Sequence, residues 1–315
     1  MKIKTKEKST RGITMKFNVD SFTTCYRANK DVINLLSGIE KDKDGFKFPF
    51  KLYRIKEPYG IYDNLIKVTV NNPLNTKQYI YFGDLYYSEK RIDDYGNTYV
   101  WFRIENEVFY TQNKEKGVNI LPFMLSITNE LNLIFNNITT LDIACDSNVN
   151  FSKKIKKAVC TKNLLPVINN IPRYDEYELI PELRFMYGCN QKTVKNMTMY
   201  LKQDIDSVFE LKGYDKDKEI EVRKKQYISN WLKIKKPFRT EIHLKNEQIK
   251  PFLEKKNNTI LKKYFDGAEV TPEMIIPYLA DNNTDFLKDL FAYFTRKLVY
   301  FIDKTTKQEI NILDL

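Results

Sequence analysis

The stretch 196–220, NMTMYLKQDIDSVFELKGYDKDKEI, holds two strand patterns in tandem, and the second carries a tyrosine on its polar side. There Phe209, Leu211 and Gly213 share one face by the period of two, while Glu210, Lys212 and Tyr214 share the other. With Lys212, Asp215, Lys216 and Lys218 around it, Tyr214 stands among cations able to hold a phosphate and to lower the pKa of the phenol, as an attacking tyrosine needs. The plain alternative is a half-exposed tyrosine at a strand end, one of 21 in the chain.

Two further strands bear on that choice. In 139–146, TTLDIACD, Leu141, Ile143 and Cys145 point one way and Asp142, Ala144 and Asp146 the other, which puts two carboxylates on one side, a pair suited to a divalent cation. In 238–245, FRTEIHLK, the polar side carries Arg239, Glu241, His243 and Lys245, and His243 is the only histidine of the chain. If these strands are neighbours with their apolar faces on one core, the opposite face gathers two Asp, a Glu, a His, an Arg and a Tyr. That set reads as a metal and nucleophile site, with Tyr214 and Lys216 in the catalytic positions and Asp142, Asp146, Glu241 and His243 as metal ligands. Lys202, Lys212, Lys218, Arg239 and Lys245 supply cations for a bound polyanion.

A chain of 315 residues can bury a large core in one or two domains. Net charge is +11, from 52 Lys plus Arg against 41 Asp plus Glu, so polyanions are the natural partners, nucleic acid ahead of membrane. A Lys-, Asn- and Ile-rich composition is also what an AT-rich genome produces. The four cysteines, Cys25, Cys145, Cys160 and Cys189, form no C-x-x-C pair, which argues against a structural zinc site and a disulfide framework and fits a reducing cytoplasm. Without a signal-like apolar segment or a run approaching the ~20 residues of a membrane span, a soluble cytoplasmic protein is expected.

Taken in order, 1–12 reads as a basic tail, 16–24 as a strand and 29–38 as a helix with Val32, Ile33, Leu35 and Leu36 on its apolar side. Strand patterns fill 53–110 (LIKVTVN, QYIYFGDLYY, TYVWFRI, EVFYT) as an antiparallel meander. A helix is expected over 122–135, stopped by Asn136 and Asn137, and a Lys-rich helix over 152–159 whose positive side either solvates it or meets DNA. Residues 169–187 read as an irregular connection, 220–235 as a helix with Ile228, Trp231 and Leu232 inward, and the chain beyond 248 as helices over 249–264, from Thr271 and Pro272 onward, and over 283–301. The expected class is α+β, a large antiparallel sheet backed by helices. Its divisions are a tail (1–12), an N-terminal α/β unit (13–135), a central unit (136–246) and a helical C-terminal region (247–315).

Four segments, in this order, resemble one family. TTLDIACD is similar to an R-L-D-L-A-x-D strand, NMTMYLKQ to T-x-Y-x-G-S, LKGYDKDKE to L-R-x-Y-D-K-x-x-E and FRTEIHLK to R-x-E-x-x-L of the replication initiation factor family, the initiators of rolling-circle plasmids and some mobile elements. The resemblance covers 136–246, about a third of the chain. It implies a nuclease core like that of the His-hydrophobe-His nucleases, with Glu241-Ile242-His243 in place of that strand. It also implies nicking of one strand at an origin, the tyrosine becoming joined to the 5′ phosphate and leaving a 3′-OH. Tyr214 matches the family's tyrosine, Asp142 and Asp146 its acidic strand positions and Glu241 its glutamate. Thr140 stands where the family often has Arg, and Lys202-Gln203 where it has Gly-Ser. Mg²⁺ or Mn²⁺ suits oxygen-rich ligands better than Zn²⁺. The implied partners are origin DNA, a host helicase and polymerase, with a homodimer left open. Two rival readings stand beside this one: a sequence-specific DNA-binding protein without covalent chemistry, and an interaction protein whose acidic strand face is only a solvated surface.

Overall fold

The strands that carry Asp142, Glu241 and Tyr214 lie side by side, as their alternation requires if one face is to be buried. In the computed structural model, which describes residues 12–39, 50–55, 60–111, 118–174, 181–187, 197–204 and 207–315, they sit toward one end of a ten-stranded antiparallel sheet. In chain order the elements are β1 (Met15–Ala28), α1 (Lys30–Ser37), β2 (Phe50–Ile55), β3 (Asn64–Asn72), β4 (Asn75–Ile92), β5 (Thr98–Ile104), α2 (Asn106–Thr111), α3 (Ile120–Glu130), β6 (Ile134–Ser147) and α4 (Phe151–Val159). There follow β7 (Leu164–Ile168), β8 (Ile171–Pro172), β9 (Leu183–Tyr187), β10 (Met197–Lys202), β11 (Glu210–Asp215), α5 (Lys216–Arg223), α6 (Gln226–Leu232) and β12 (Phe238–Lys245). The last are α7 (Asn246–Leu253), α8 (Thr259–Phe265), α9 (Pro272–Ala280), α10 (Thr284–Leu298), β13 (Val299–Asp303) and β14 (Glu309–Ile310).

The large sheet runs β2-β3-β4-β5-β1-β6-β12-β11-β10-β9, and β14-β13-β7-β8 make a second, four-stranded one. Because β1 pairs with both β5 and β6, the meander and the central unit share one sheet across the boundary at 135. The apolar face, with Phe17, Val19, Phe22, Leu141, Ile143, Leu211, Ile242 and Leu244, is fully buried. Helix α10 covers part of it: Phe291 meets Phe17 edge-on at 5.6 Å and Phe294 meets Phe209 at 6.2 Å. Each such side chain taken out of water contributes about 1.5–3 kcal/mol.

Gly213 lies on the buried face, where α4 crosses it. A Cβ built there would sit 2.0 Å from Ser152 Oγ and 3.4 Å from Ser152 Cβ, so the helix can approach only a bare backbone. We expect Gly213→Ala to cost about 1–3 kcal/mol in urea unfolding, and Ser152→Ala in the same chain to restore most of it, because the clash is with the hydroxyl. An equal loss in both variants would place the strain elsewhere. The crossing also puts α4 on the side of the sheet away from Tyr214, so its lysines do not face the candidate site.

Several expectations are corrected. EVFYT is helical (α2), with Val108, Phe109, Tyr110 and Thr111 all buried. Helix α3 stops at Glu130, where Asn132 takes a left-handed φ of 47°, and Ile134 to Asn137 already belong to β6. Leu35 is exposed rather than part of the apolar side of α1. The single helices expected over 220–235 and 249–264 are each broken, with Lys224 and Asn257 at positive φ in the breaks. Residues 299–303 leave the last helix and pair as β13, so the region beyond 247 is not wholly helical. Most of the tail (1–11), Cys189 and residues 175–180 of the irregular connection fall outside the described residues; the rest of that connection includes β8 and β9.

Candidate active site

The polar face at the β1-β6-β12-β11 end is organised by register into three rows. Lys16, Asp146, Arg239 and Tyr214 lie opposite one another in the first; Asn18, Ala144, Glu241 and Lys212 in the second; Ser21, Asp142, His243 and Glu210 in the third. Rows are ~7 Å apart along the strands. Glu241 therefore occupies the middle, one row from Tyr214 and one from the Asp142/His243 pair.

Asp20 joins them because β1 bulges between Val19 and Ser21 and turns an extra residue to this face. The sequence carries the trace of that bulge: apolar residues fall at Phe17, Val19 and then Phe22, a slip of one in the alternation. Beneath the site Arg239 is completely buried. It donates from Nε and Nη2 to both Asp146 oxygens (2.8 and 2.5 Å), from Nη1 to Asp20, and from Nη2 to the Tyr110 hydroxyl at 2.5 Å. Tyr110 in turn donates to Asp20 at 2.7 Å, and Asn106 Nδ2 donates to the same carboxylate at 3.0 Å. A guanidinium with its fork filled by two carboxylates is a fixed centre of charge on which the surrounding side chains are set.

Above it the Tyr214 hydroxyl donates to Glu241 Oε2 at 3.1 Å. These two groups open into a polar cleft of about 350 Å³ whose other walls include Tyr200, Lys212, Lys218, Arg223 and Lys225. Lys212 and Lys216 lie over the Tyr214 ring, 5.3 and 5.6 Å from its centroid, rather than against its oxygen. Lys216 is buried and donates to Glu219 at 2.6 Å, so it props the ring from inside and is closed to a phosphate from the cleft. Asp142 Oδ1 and His243 Nδ1 are hydrogen-bonded, and that contact raises the imidazole above its ordinary pKa.

The acid–base balance differs from the expectation of a softened phenol. Burial pushes the Tyr214 phenol well above its ordinary range, and although Arg239 pulls it down, Glu241, Asp20 and Glu219 add to the rise. Glu241 is itself lifted from 4.5 to about 7, by burial first and then by Asp20, with Arg239 opposing. Carboxylates, not lysines, dominate the surroundings of the hydroxyl. The site is thus a neutral phenol bonded to a carboxyl that is half ionised near neutrality, a pair suited to moving one proton between them.

This lift makes Glu241 a burden on stability once it ionises. Its folded pKa exceeds the unfolded one, so the folded chain holds the extra proton between about 4.5 and 7, and stability falls as pH rises through that window. Glu241→Gln keeps a hydrogen-bond acceptor without the charge. It should gain on the wild type by on the order of 2 kcal/mol from the acid to the alkaline side of the window, measured by urea unfolding. A pH-independent difference would contradict the raised pKa.

Of the expected metal ligands, Asp146 has both oxygens on Arg239 and in this arrangement serves as its counter-ion. Arg239, expected among the DNA contacts, is shut away from any ligand by its burial. Asp142, Glu241 and His243 share the open face, yet among the described residues no three acidic, His or Cys groups stand together as a ready metal cage. Two carboxyls and an imidazole are donors of the kind a hard cation takes, but register sets Glu241 one row away from the Asp142/His243 pair. Lys212 and Lys218 line the cleft, and Lys202 lines an adjoining hollow of about 290 Å³ with Arg184 and Glu210. Lys245 lies at the His243 end, opposite Thr140. Among the described residues no helix is long and apolar enough to cross a membrane. No protein-family model matches the chain, and no curated protein matches it.

Proposed function

We propose that the chain is a DNA nicking and rejoining enzyme of the rolling-circle initiator kind, with Tyr214 as nucleophile. The observation that carries this reading is the Tyr214–Glu241 hydrogen bond on an open cleft that Lys212 and Lys218 also line, together with Asp20, Asp215 and a Glu219 paired to Arg223 and Lys225. A phosphodiester drawn to those cations would have the phenol beneath it. Glu241, in its ionised half, takes the phenolic proton as the oxygen bonds to phosphorus. The bond from phosphorus to the 3′ oxygen breaks, that oxygen leaves as a 3′-OH after gaining a proton, and the 5′ phosphate remains on Tyr214. Rejoining is the reverse step. Mg²⁺ or Mn²⁺ would supply neutralisation of the charge that grows on the phosphate oxygens, with Asp142 and His243 the groups left to hold it while Glu241 acts as the base.

The reading predicts a DNA species as well as a reaction. Supercoiled plasmid carrying the DNA that flanks the gene, incubated with the protein and Mg²⁺, should yield an open circle with protein on its 5′ end, and EDTA should suppress it. Binding without any nicked product at any metal concentration would favour the non-catalytic DNA-binding reading, to which the engagement of Asp146 with Arg239 lends weight. The adduct rate should rise with pH and level off above about 7 as Glu241 ionises, and Glu241→Gln should flatten that profile.

A further inference from the structure

The same polar face continues, past β1, over β5, β4 and β3, and there it changes character from acidic to aromatic. Register puts Tyr99 opposite Arg27, Trp101 opposite Cys25 and Arg103 opposite Thr23, all on the side of the sheet that holds Asp142 and Glu241, while Val100, Phe102 and Ile104 fill the core. Tyr86 is the cross-strand partner of Trp101, and the two rings lie nearly parallel, 9° apart with centroids at 6.2 Å. Tyr62 meets both of them, at 4.6 and 4.9 Å, and Tyr99 flanks Trp101 at 6.1 Å. These four rings keep part of their surface in solvent, although the opposite face of the same strands is completely buried.

Cations are interleaved with the rings. The exposed Arg91 guanidinium sits 5.6 Å from the Tyr62 centroid and 6.0 Å from that of Trp101, and on the neighbouring strands Lys67 lies over Tyr81 at 5.5 Å and Lys51 over Tyr79 at 4.2 Å. Of the carboxylates here, Asp84 is buried and taken up by Arg103 at 2.6 Å, while the exposed Asp63 beside Tyr62 accepts from Ser88 at 2.6 Å. Flat rings that accept any base face, set among side chains that attract phosphates, form the surface that a single strand requires and a duplex, with its bases stacked inside, cannot use. Strand spacings place Trp101 roughly 20 Å from the Asp142/His243 pair and roughly 30 Å from Tyr214, two rows farther along the same face.

We infer that the Tyr62–Tyr86–Trp101–Tyr99 platform with Arg91 is a stacking site for single-stranded DNA. It would hold the strand on one side of the nick site while Tyr214 acts on the scissile phosphate. The choice of DNA rests on the proposed nicking, but the platform shares no residue with the Tyr214 cleft, so the two can fail separately.

The test measures binding of fluorescein-labelled oligo-dT by anisotropy, without metal and without cleavage. Trp101→Ala should weaken binding about tenfold, Trp101→Phe should keep most of it, and affinity for random duplex should change little in either. Oligo-dT should quench the tryptophan emission of wild type more than that of Trp101→Phe, which isolates the Trp101 contribution from Trp231. Arg91→Ala, at an exposed position where folding is not at stake, should also weaken oligo-dT and leave its binding less salt-sensitive than the wild type's. Tyr214→Phe should bind oligo-dT like the wild type whether or not the protein nicks. The inference is overturned if Trp101→Ala and Arg91→Ala bind oligo-dT with wild-type affinity, or if duplex and single strand weaken together.

Discussion

Replacing Tyr214 by Phe is expected to abolish the covalent protein–DNA product, with a fall on the order of 10⁴-fold or more in rate, while affinity for the same DNA stays within a few-fold. The large effect follows from the position of the hydroxyl. It is the hydroxyl that lines the open cleft and donates to a base there, Glu241 at 3.1 Å. The small effect on binding follows from what Phe retains, since the ring keeps its contacts with Lys212 and Lys216. Glu241→Gln should leave the nucleophile in place but remove the acceptor of its proton, so it should slow the reaction by a smaller factor, about 10²–10⁴. Tyr200 lines the same cleft and is the nearest rival nucleophile. An adduct that survives in Tyr214→Phe and disappears in Tyr200→Phe would transfer the role.

Arg239→Met should be the most destabilising single change at this face, costing about 3–5 kcal/mol. The substitution takes from Asp146, completely buried, and from Asp20 the guanidinium that pairs with both, leaving Asp20 only the weaker pull of Lys216, and it strips the Tyr110 hydroxyl of a donor. The pH dependence separates this cause from simple loss of packing. Burial raises the Asp20 pKa, but Arg239 and then Lys216 pull it well below its ordinary value of 3.8. Stability from that carboxylate is therefore present above the unfolded pKa and lost as pH falls below it. In Arg239→Met the larger pull is gone and Asp20 holds its proton more readily, so the gap to wild type should narrow as the solution is acidified. Urea unfolding across pH would show this, and a gap that stays constant would assign the loss to volume alone. Arg239→Lys should recover little, because an ammonium cannot serve both Asp146 oxygens and Tyr110 at once.

The three strands of the site were legible because each has one buried face and one polar face, so period two fixes both their existence and the side on which each functional group lies. Residues 238–245 form β12 with the bounds read from the pattern, and Tyr214, Glu241, Asp142 and His243 fall on the common face for that reason. What alternation cannot supply is distance along the third dimension. It put Asp146 and Arg239 on the ligand-bearing side, but burial at the β1 bulge and under α2 turned them into an ion pair that no outside group can reach. Asp20, Tyr110 and Asn106 were missed because they come from β1, α2 and its start, more than a hundred residues from Glu241 in sequence, and only the slip of phase at Asp20 and Ser21 hinted at them.

Elsewhere the errors have local causes. EVFYT has the β-branched and aromatic residues of a strand, yet the neighbouring space beside β1 is filled by a helix that sends Phe109 edge-on to Phe22 and Tyr110 to Asp20. Asn136 and Asn137 look like a helix stop but pair in β6, since Asn132 in the left-handed region had already turned the chain. The break between α10 and β13 was visible in VYFID, where Val299 and Phe301 alternate with less buried residues, but the aromatic-rich helix before it masked the change of period.

In the proposed reaction one hydroxyl, that of Tyr214, becomes esterified to DNA. The measurement that meets it most directly is peptide mapping by mass spectrometry after reaction with Mg²⁺ and single-stranded DNA from beside the gene, followed by nuclease trimming of the bound strand. A nucleotide linked through a 5′ phosphate is expected on the peptide containing Tyr214, absent in EDTA. A nucleotide on any other tyrosine, or an unmodified Tyr214 peptide alongside nicked DNA, would contradict it.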